Sequence, residues 1–370
     1  MTSPDLAVAP LFKPFTLSSL TLANRMVMAP MTRSQSPNGV PTDEVVAYYR
    51  RRAEHGVGLI ITEGTTVDHP VATPHPSVPR FHGADALAGW KRVVDAVHGA
   101  GGRIMPQLWH VGSARRAGTP PHPEQESIGP SGLVAPGKKR VREMSESDIA
   151  DLIAAYAKSA GFARELGFDG VELHGAHGYL IDQFFWSGTN VREDMWGGSL
   201  VARTRFGAEI VRAVRKTVGA AFPIVLRYSQ WKLQDYEAKL ATTPAELAEF
   251  LAPLVDAGVD LFHASTRRFW QPEFEGSDLN LAGWTKKLTG KPAITVGSVG
   301  LDQEFISAYA GIGALARGLE DLVARVQRDE FDLVAVGRVL LQDPAWVEKV
   351  REGRHAEIRA FDAASLKVLY

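Results

Sequence analysis

Cysteine is missing from all 370 residues. Its absence excludes disulfides, thiolate-held iron–sulfur clusters and any cysteine nucleophile, and it is compatible with a cytoplasmic location. An excess of charge of one sign is missing too. The formal net charge is -1, which gives no electrostatic reason to expect nucleic acid or an anionic membrane as a partner. No apolar stretch is long enough to span a bilayer. Met1 to Pro14 lacks a basic segment followed by an apolar run, so no secretory signal is expected. No linker-like composition interrupts the chain, and residues 1–370 read as one globular domain.

What is present is a repeated alternation. Leu11 to Asn24 alternates apolar and polar residues around Ser18-Ser19, which predicts a short hairpin. Strand-like runs follow at Met26–Thr32, Val57–Gly64, Arg103–His110, Gly170–Leu173, Pro223–Ser229, Val259–Ser265, Pro292–Ser298 and Phe331–Arg338. Helical spacing separates them, as in Asp43–Glu54 and Asp85–His98. Ser145 or Ser147 caps a helix to about Glu165, Ser199 one to about Val218, and Thr243 with Pro244 another. A helical region is expected over Asp302–Arg328, interrupted near Gly311 and Gly313. Eight strand–helix units predict an α/β fold, a (β/α)8 TIM barrel with an N-terminal β-hairpin. The Gly/Pro-rich stretch Val111–Glu146, after the third strand, is too long for a plain connector and reads as an extended functional loop.

A TIM barrel builds its active site at the C-terminal ends of its strands. Those ends carry Thr32, Glu63-Gly64, Gln107, His174, Arg227, His263, Gly297-Ser298 and Gly337-Arg338. The last two pairs suit a phosphate, with backbone N–H groups exposed by glycine and a forked cation from Arg338. Gln107 matches the amide edge of a planar heterocycle, and Arg227 suits negative charge on such a ring. The fourth strand is read as ending at His174, with a Gly-punctuated turn presenting His177 and Tyr179. Strand parity puts Glu172 on the same side as His174. An inward Glu172 needs a partner, and Arg227 or another cationic neighbour is expected.

These residues stand in motifs that resemble the old yellow enzyme family of FMN-dependent ene-reductases. The motifs are Met28-Ala-Pro-Met-Thr-Arg33, Ile61-Thr-Glu-Gly-Thr65, Gln107-Leu-Trp-His110, Val171-Glu-Leu-His-Gly-Ala-His-Gly-Tyr-Leu180, Asn190-x-Arg192-x-Asp194-x-Trp-Gly-Gly-Ser199, Arg203-x-Arg205, Arg227 and Val336-Gly-Arg338. The resemblance implies bound FMN with NADPH or NADH as co-substrate. It implies Pro30, Met31 and Thr32 along the flavin, Thr32 at its C4 oxygen, and Gly64 and Gln107 at the pyrimidine edge. Arg227 would lie beside N1 and the C2 oxygen, and Gly297, Ser298, Gly337 and Arg338 around the phosphate. His174 and His177 would bind the substrate carbonyl oxygen, Tyr179 would supply a proton, and Trp109 would line the pocket. Thr32 in place of cysteine resembles the Thr-type branch.

The activity so implied is ping-pong reduction of activated C=C bonds in α,β-unsaturated carbonyl or nitro compounds. Hydride comes from flavin N5, the partner is a small molecule, and the enzyme is a monomer or homodimer. Two other readings stand beside it. A cluster-free FMN amine oxidase or demethylase shares the barrel. A metal-dependent barrel hydrolase would use the His-x-x-His pair with Glu172 or His263 as a further ligand. Trp231, Tyr236, Phe269 and Trp270 are expected at the active face as pocket or packing residues. The tail from Arg351 to Tyr370 carries no assignable role.

Overall fold

The computed structural model describes residues 7–305, 308 and 310–370. The expected hairpin is β1 (Phe15–Leu17) with β2 (Leu20–Leu22). The first barrel strands are β3 (Met26–Met28), β4 (Leu59–Thr66) and β5 (Ile104–Trp109). The loop after β5 carries β6 (Ile128–Gly129), β7 (Leu133–Ala135), β8 (Lys138–Lys139) and β9 (Arg142–Glu143). The barrel resumes with β10 (Val171–His177), β11 (Ile224–Lys232), β12 (Leu261–Ser265), β13 (Ala293–Val296) and β14 (Leu333–Val336). β3 to β5 and β10 to β14 form a closed parallel barrel in chain order, ringed by helices.

Local sequence explains where the helices begin and stop. Ser145 caps the helix Glu146–Leu166: its hydroxyl accepts from Asp148 N, and the Asp148 carboxylate accepts from Ser145 N at 2.7 Å. Gly167 ends that helix at φ 87°, a left-handed conformation that suits glycine. Thr243 caps Pro244–Ala257, its hydroxyl accepting from Glu246 N. Ser199 caps Leu200–Arg203, and a second helix, Arg205–Val218, continues from Thr204. The region past Asp302 contains the helix Glu320–Gln327. The expectation for Asp302–Arg328 also covers residues 306, 307 and 309, and the reading of Met1–Pro14 covers residues 1–6; those positions lie outside the described residues.

Strand alternation sorts the core into two layers. Val27, Leu59, Ile61, Met105, Val225, Leu261, Ile294 and Leu333 fill the barrel interior, and Leu20 and Leu22 of the hairpin pack with them. The opposite faces of the strands, with Val171, Leu173, Leu226 and Phe262, meet the helices. On β5, β11 and β12 the inward side chains that follow the apolar layer are polar: Gln107 after Met105, Arg227 after Val225, His263 after Leu261. The hydrophobic plug therefore occupies the N-terminal half of the barrel, and a polar floor lies above it. None of the helices among the described residues is long and apolar enough to cross a membrane.

Candidate active site

β10 does not end at His174. It runs to His177, with a register shift against β11 between Gly175 and His177. Glycine at 175 reads as a turn signal, but here it sits in a bulge where an added Cβ would meet the Arg227 carbonyl at 3.1 Å. His177 has φ 65° and Gly178 φ 78°, so two successive left-handed residues turn the chain into the helix Leu180–Phe185. That turn brings His177 and Tyr179 back over the strand end beside His174.

The three side chains share one cleft, open to solvent at its mouth. The ring centroids of His174 and His177 are 5.2 Å apart, and those of His174 and Tyr179 are 5.1 Å apart. Trp109 stacks on His174 at 5.9 Å and meets Tyr179 edge-on at 4.9 Å. Burial, with the Arg227 cation next in importance, pushes both imidazoles well below their ordinary pKa. Both are therefore neutral at pH 7, with one N–H donor each. His174 Nδ1 accepts a long bond from Ala176 N at 3.4 Å, which leaves the proton on Nε2.

Pro30, Met31, Thr32, Gln107, Arg227, Gly297, Ser298, Gly337 and Arg338 line the same cleft. The Arg227 side chain is buried, its Nη2 is 3.4 Å from Ser265 Oγ, and its Nε lacks a partner. Gly297 has φ 138°, and an added Cβ would lie 2.8 Å from the Thr266 carbonyl. Ser298 follows at φ 50°, its hydroxyl within reach of two carbonyl acceptors, Arg267 O at 3.0 Å and Gln303 O at 2.9 Å. Arg338 donates to Glu304 O at 3.0 Å. Gly64 is placed differently from the others. It is buried in β4, and an added Cβ would lie 2.4 Å from the Trp109 ring. Glycine is thus required there for Trp109 to pack.

Glu172 is buried, as parity requires, but its partner is not Arg227. Its carboxylate accepts from Gln107 Nε2 at 2.8 Å and pairs with His263 Nδ1 at 2.7 Å. The register explains the difference. Glu172 lies opposite Gln107 on β5 and Val225 on β11, whereas Arg227 lies opposite His174, two residues further up. Arg227 acts on Glu172 through its charge alone. Because the carboxylate takes the Gln107 amide N–H, the Gln107 carbonyl oxygen is turned away from it. Among the described residues no group of three His, Asp or Glu side chains is arranged to hold a metal.

Cleft residues such as Ser265 and Leu366 escaped the sequence reading, whereas Trp231 stands where it was expected. Ser265, at the end of β12, has its hydroxyl 2.8 Å from His177 Nε2; it is two residues beyond His263, and that parity was its only signal. Trp231 stacks on His177 at 4.5 Å and donates to Ser265 O, a pocket role where packing was an equal expectation. Leu366 reaches the cleft from the tail, which no motif marked. Arg192 bonds Asp194, Pro130 O and Met144 O, so that motif braces the loop.

Residues 10–357 match the family model described as NADH:flavin oxidoreductase / NADH oxidase family. The chain belongs to this family. An NADH oxidase of Thermoanaerobacter brockii is 34% identical over 94% of the chain and 52% of its own length. A 12-oxophytodienoate reductase 7 of Oryza sativa subsp. japonica is 42% identical over 57% of the chain and 56% of its own length. The chain thus spans about half the length of these two curated relatives. A solved structure of morphinone reductase in complex with tetrahydroNAD superimposes with a TM-score of 0.80 at 30% identity, covering 96% and 93% of the two chains. An old yellow enzyme homologue from Zymomonas mobilis gives 0.79 at 25%, covering 97% and 96%. The old yellow enzyme resemblance and the TIM barrel both stand.

The residues fit FMN, the flavin this family carries. Gln107 and the unpartnered Arg227 Nε line the cleft. Gly297 and Ser298, which line it too, hold a backbone bend that a Cβ at 297 would obstruct. This is a polar heterocycle edge and an anion cradle in one cavity.

Proposed function

We propose that this protein is an FMN-dependent NAD(P)H oxidoreductase of the Thr-type branch, reducing the activated C=C bond of α,β-unsaturated carbonyl or nitro compounds. The observation that carries the reading is the convergence of two neutral imidazoles and one phenol over a cleft floored by Gln107 and Arg227. When bound, FMN supplies the hydride, taken from NAD(P)H in one half-reaction and given to the alkene in the next. As the β-carbon gains that hydride, negative charge grows on the activating oxygen. His174 and His177 donate N–H hydrogen bonds to that oxygen. Tyr179 gives its phenolic proton to the α-carbon. Trp109 and Trp231 hold the two imidazoles in plane by stacking. Gly297, Ser298, Gly337 and Arg338 would hold the phosphate, and Pro30, Met31 and Thr32 would complete the flavin site, with Gly64 serving it from behind by leaving room for Trp109.

The reductase names of the rice and morphinone relatives support this reading over an amine oxidase. Residues 1–370 serve as one FMN-binding domain, a cytoplasmic monomer or homodimer. The test is spectroscopic. Purified protein is yellow, bleaches anaerobically with NADPH or NADH, and recolours on addition of cyclohexenone. Protein that bleaches but recolours only with oxygen overturns the ene-reductase assignment.

A further inference from the structure

Beneath the turn that carries His177 and Tyr179 lies an ion pair that the reaction does not use. Lys232 Nζ is 2.7 Å from Asp182 Oδ1, and both side chains are 0% exposed. Lys232 is the last residue of β11, and Asp182 lies in the helix that follows Tyr179. Lys232 Nζ also donates to Ser229 O at 2.9 Å. The second carboxylate oxygen, Asp182 Oδ2, accepts from Gly178 N at 2.7 Å.

Each backbone polar group of His177 and Gly178 is taken up in this way. His177 N donates to Ser229 Oγ at 2.9 Å, and His177 O accepts from Leu233 N. Gly178 O accepts from Gln183 Nε2 at 2.7 Å and from Gln234 Nε2 at 3.2 Å. The clamp holds a conformation the chain resists, because φ 65° at a non-glycine residue crowds the Cβ against the backbone.

We propose that Asp182 and Lys232 are positioning residues, whose buried pair fixes the Gly178 amide and so aims His177 and Tyr179 into the cleft. A contribution to stability alone does not account for the pair. Burial pushes Asp182 up to about 6 and Lys232 down, each against the attraction of the other. Taking two charges out of water is costly, and two apolar residues of similar volume could fill the space at equal or lower free energy. An apolar pair could not accept the Gly178 N–H. Lys232 has a second role through space: its charge adds to that of Arg227 in keeping His177 neutral.

This inference rests on the proposed function, which gives His177 and Tyr179 their tasks. The experiment compares wild-type holoprotein with D182L/K232M, which removes both charges and the amide's acceptor. D182N/K232M removes the charges but keeps a carbonyl acceptor. Loss of one charge-assisted hydrogen bond corresponds to about a tenfold change. With FMN content unchanged, D182L/K232M is expected to bind p-hydroxybenzaldehyde, a phenol probe of the two imidazoles, about tenfold more weakly. It is expected to recolour with cyclohexenone more slowly by at least the same factor. D182N/K232M should recover much of both losses at equal melting temperature. Wild-type behaviour in D182L/K232M, or equal impairment in the two variants, overturns the proposal. Should D182L/K232M not fold, hydrogen exchange in wild type decides: Gly178 N–H is expected to be as protected as the amides of β10, and loop-like exchange overturns the clamp. Wild-type protein that binds no phenol and reduces no enone defeats the functional reading, while the exchange measurement still tests the clamp.

Discussion

Tyr179 differs from phenylalanine by one oxygen, and that oxygen is its only chemical claim on the reaction. The ring itself is fixed by its edge-on contacts with Trp109 and His174. Tyr179→Phe therefore keeps the cleft's shape. It is expected to retain FMN and bleach with NADPH at the wild-type rate, yet to slow recolouring by cyclohexenone roughly 10²–10⁴-fold, the usual cost of a lost proton donor. Stopped-flow absorbance measures both halves, and equal slowing of the two would remove Tyr179 from the role. Glu172 makes the complementary case. Glu172→Gln keeps the volume but adds an N–H donor beside the Gln107 amide, so Gln107 has no fixed orientation. FMN affinity, titrated by fluorescence on apoprotein, is expected to fall about tenfold, equivalent to ~1.4 kcal/mol. Unchanged affinity would mean that the orientation of Gln107 does not matter. Two-residue spacing made the inward face of Glu172 legible. Its partners were not legible, because neighbours within a barrel depend on the stagger between strands, which no single strand's period encodes.

At the scale of elements, the strand–helix alternation was legible because each unit carried its own signals: apolar runs, the Ser145 and Thr243 caps, and glycines past the helix ends. The ends of β10 and β11 were not, because the pairing of His177 with Lys232 passes through a bulge at a glycine, and glycine normally reads as a break. The strands of the loop after β5 are two or three residues long, too short for any period to show. The tail carried no motif, yet Arg33 ties it down. Its guanidinium donates to Ser365 O, Leu366 O and Val368 O at 3.2, 2.9 and 2.8 Å. Arg51 lies over the Tyr370 ring at 4.1 Å. Arg33→Ala leaves those three carbonyls without their donor. Trypsin cleavage after Lys367 is expected to accelerate about tenfold or more, read by mass spectrometry of the intact chain, as one or two kcal/mol of local protection is lost. Cleavage at the wild-type rate would show that the tail is held by Leu366 and Tyr370 instead.

For the whole molecule, the histidines decide how stability depends on pH. His69, His82, His110, His174, His177 and His263 are all held below the ordinary imidazole value, each chiefly by burial, and His69 is brought to about 4. On acidification the unfolded chain protonates these groups near 6.5, while the folded chain resists. Their contribution is therefore fully present above pH 6.5 and is lost as pH falls below it. Buried carboxyls act in the opposite direction: burial pushes Glu63 up to about 7, Asp182 up to about 6, and Glu273 up as well. These take their protons earlier when folded, which offsets part of the loss between pH 7 and 4. Six groups against three leaves the histidines dominant, each contributing up to about 1.4 kcal/mol per pH unit within its window. Urea midpoints of the holoprotein at fixed excess FMN are expected to fall between pH 7.5 and 5.5, most steeply below 6.5. A flat or rising midpoint would mean that the carboxyls prevail. His174, His177 and His263 all feel the buried Arg227 cation, so charging any of them places like charges together at the cleft. The neutrality that gives His174 and His177 their single N–H donors thus also makes the fold sensitive to acid.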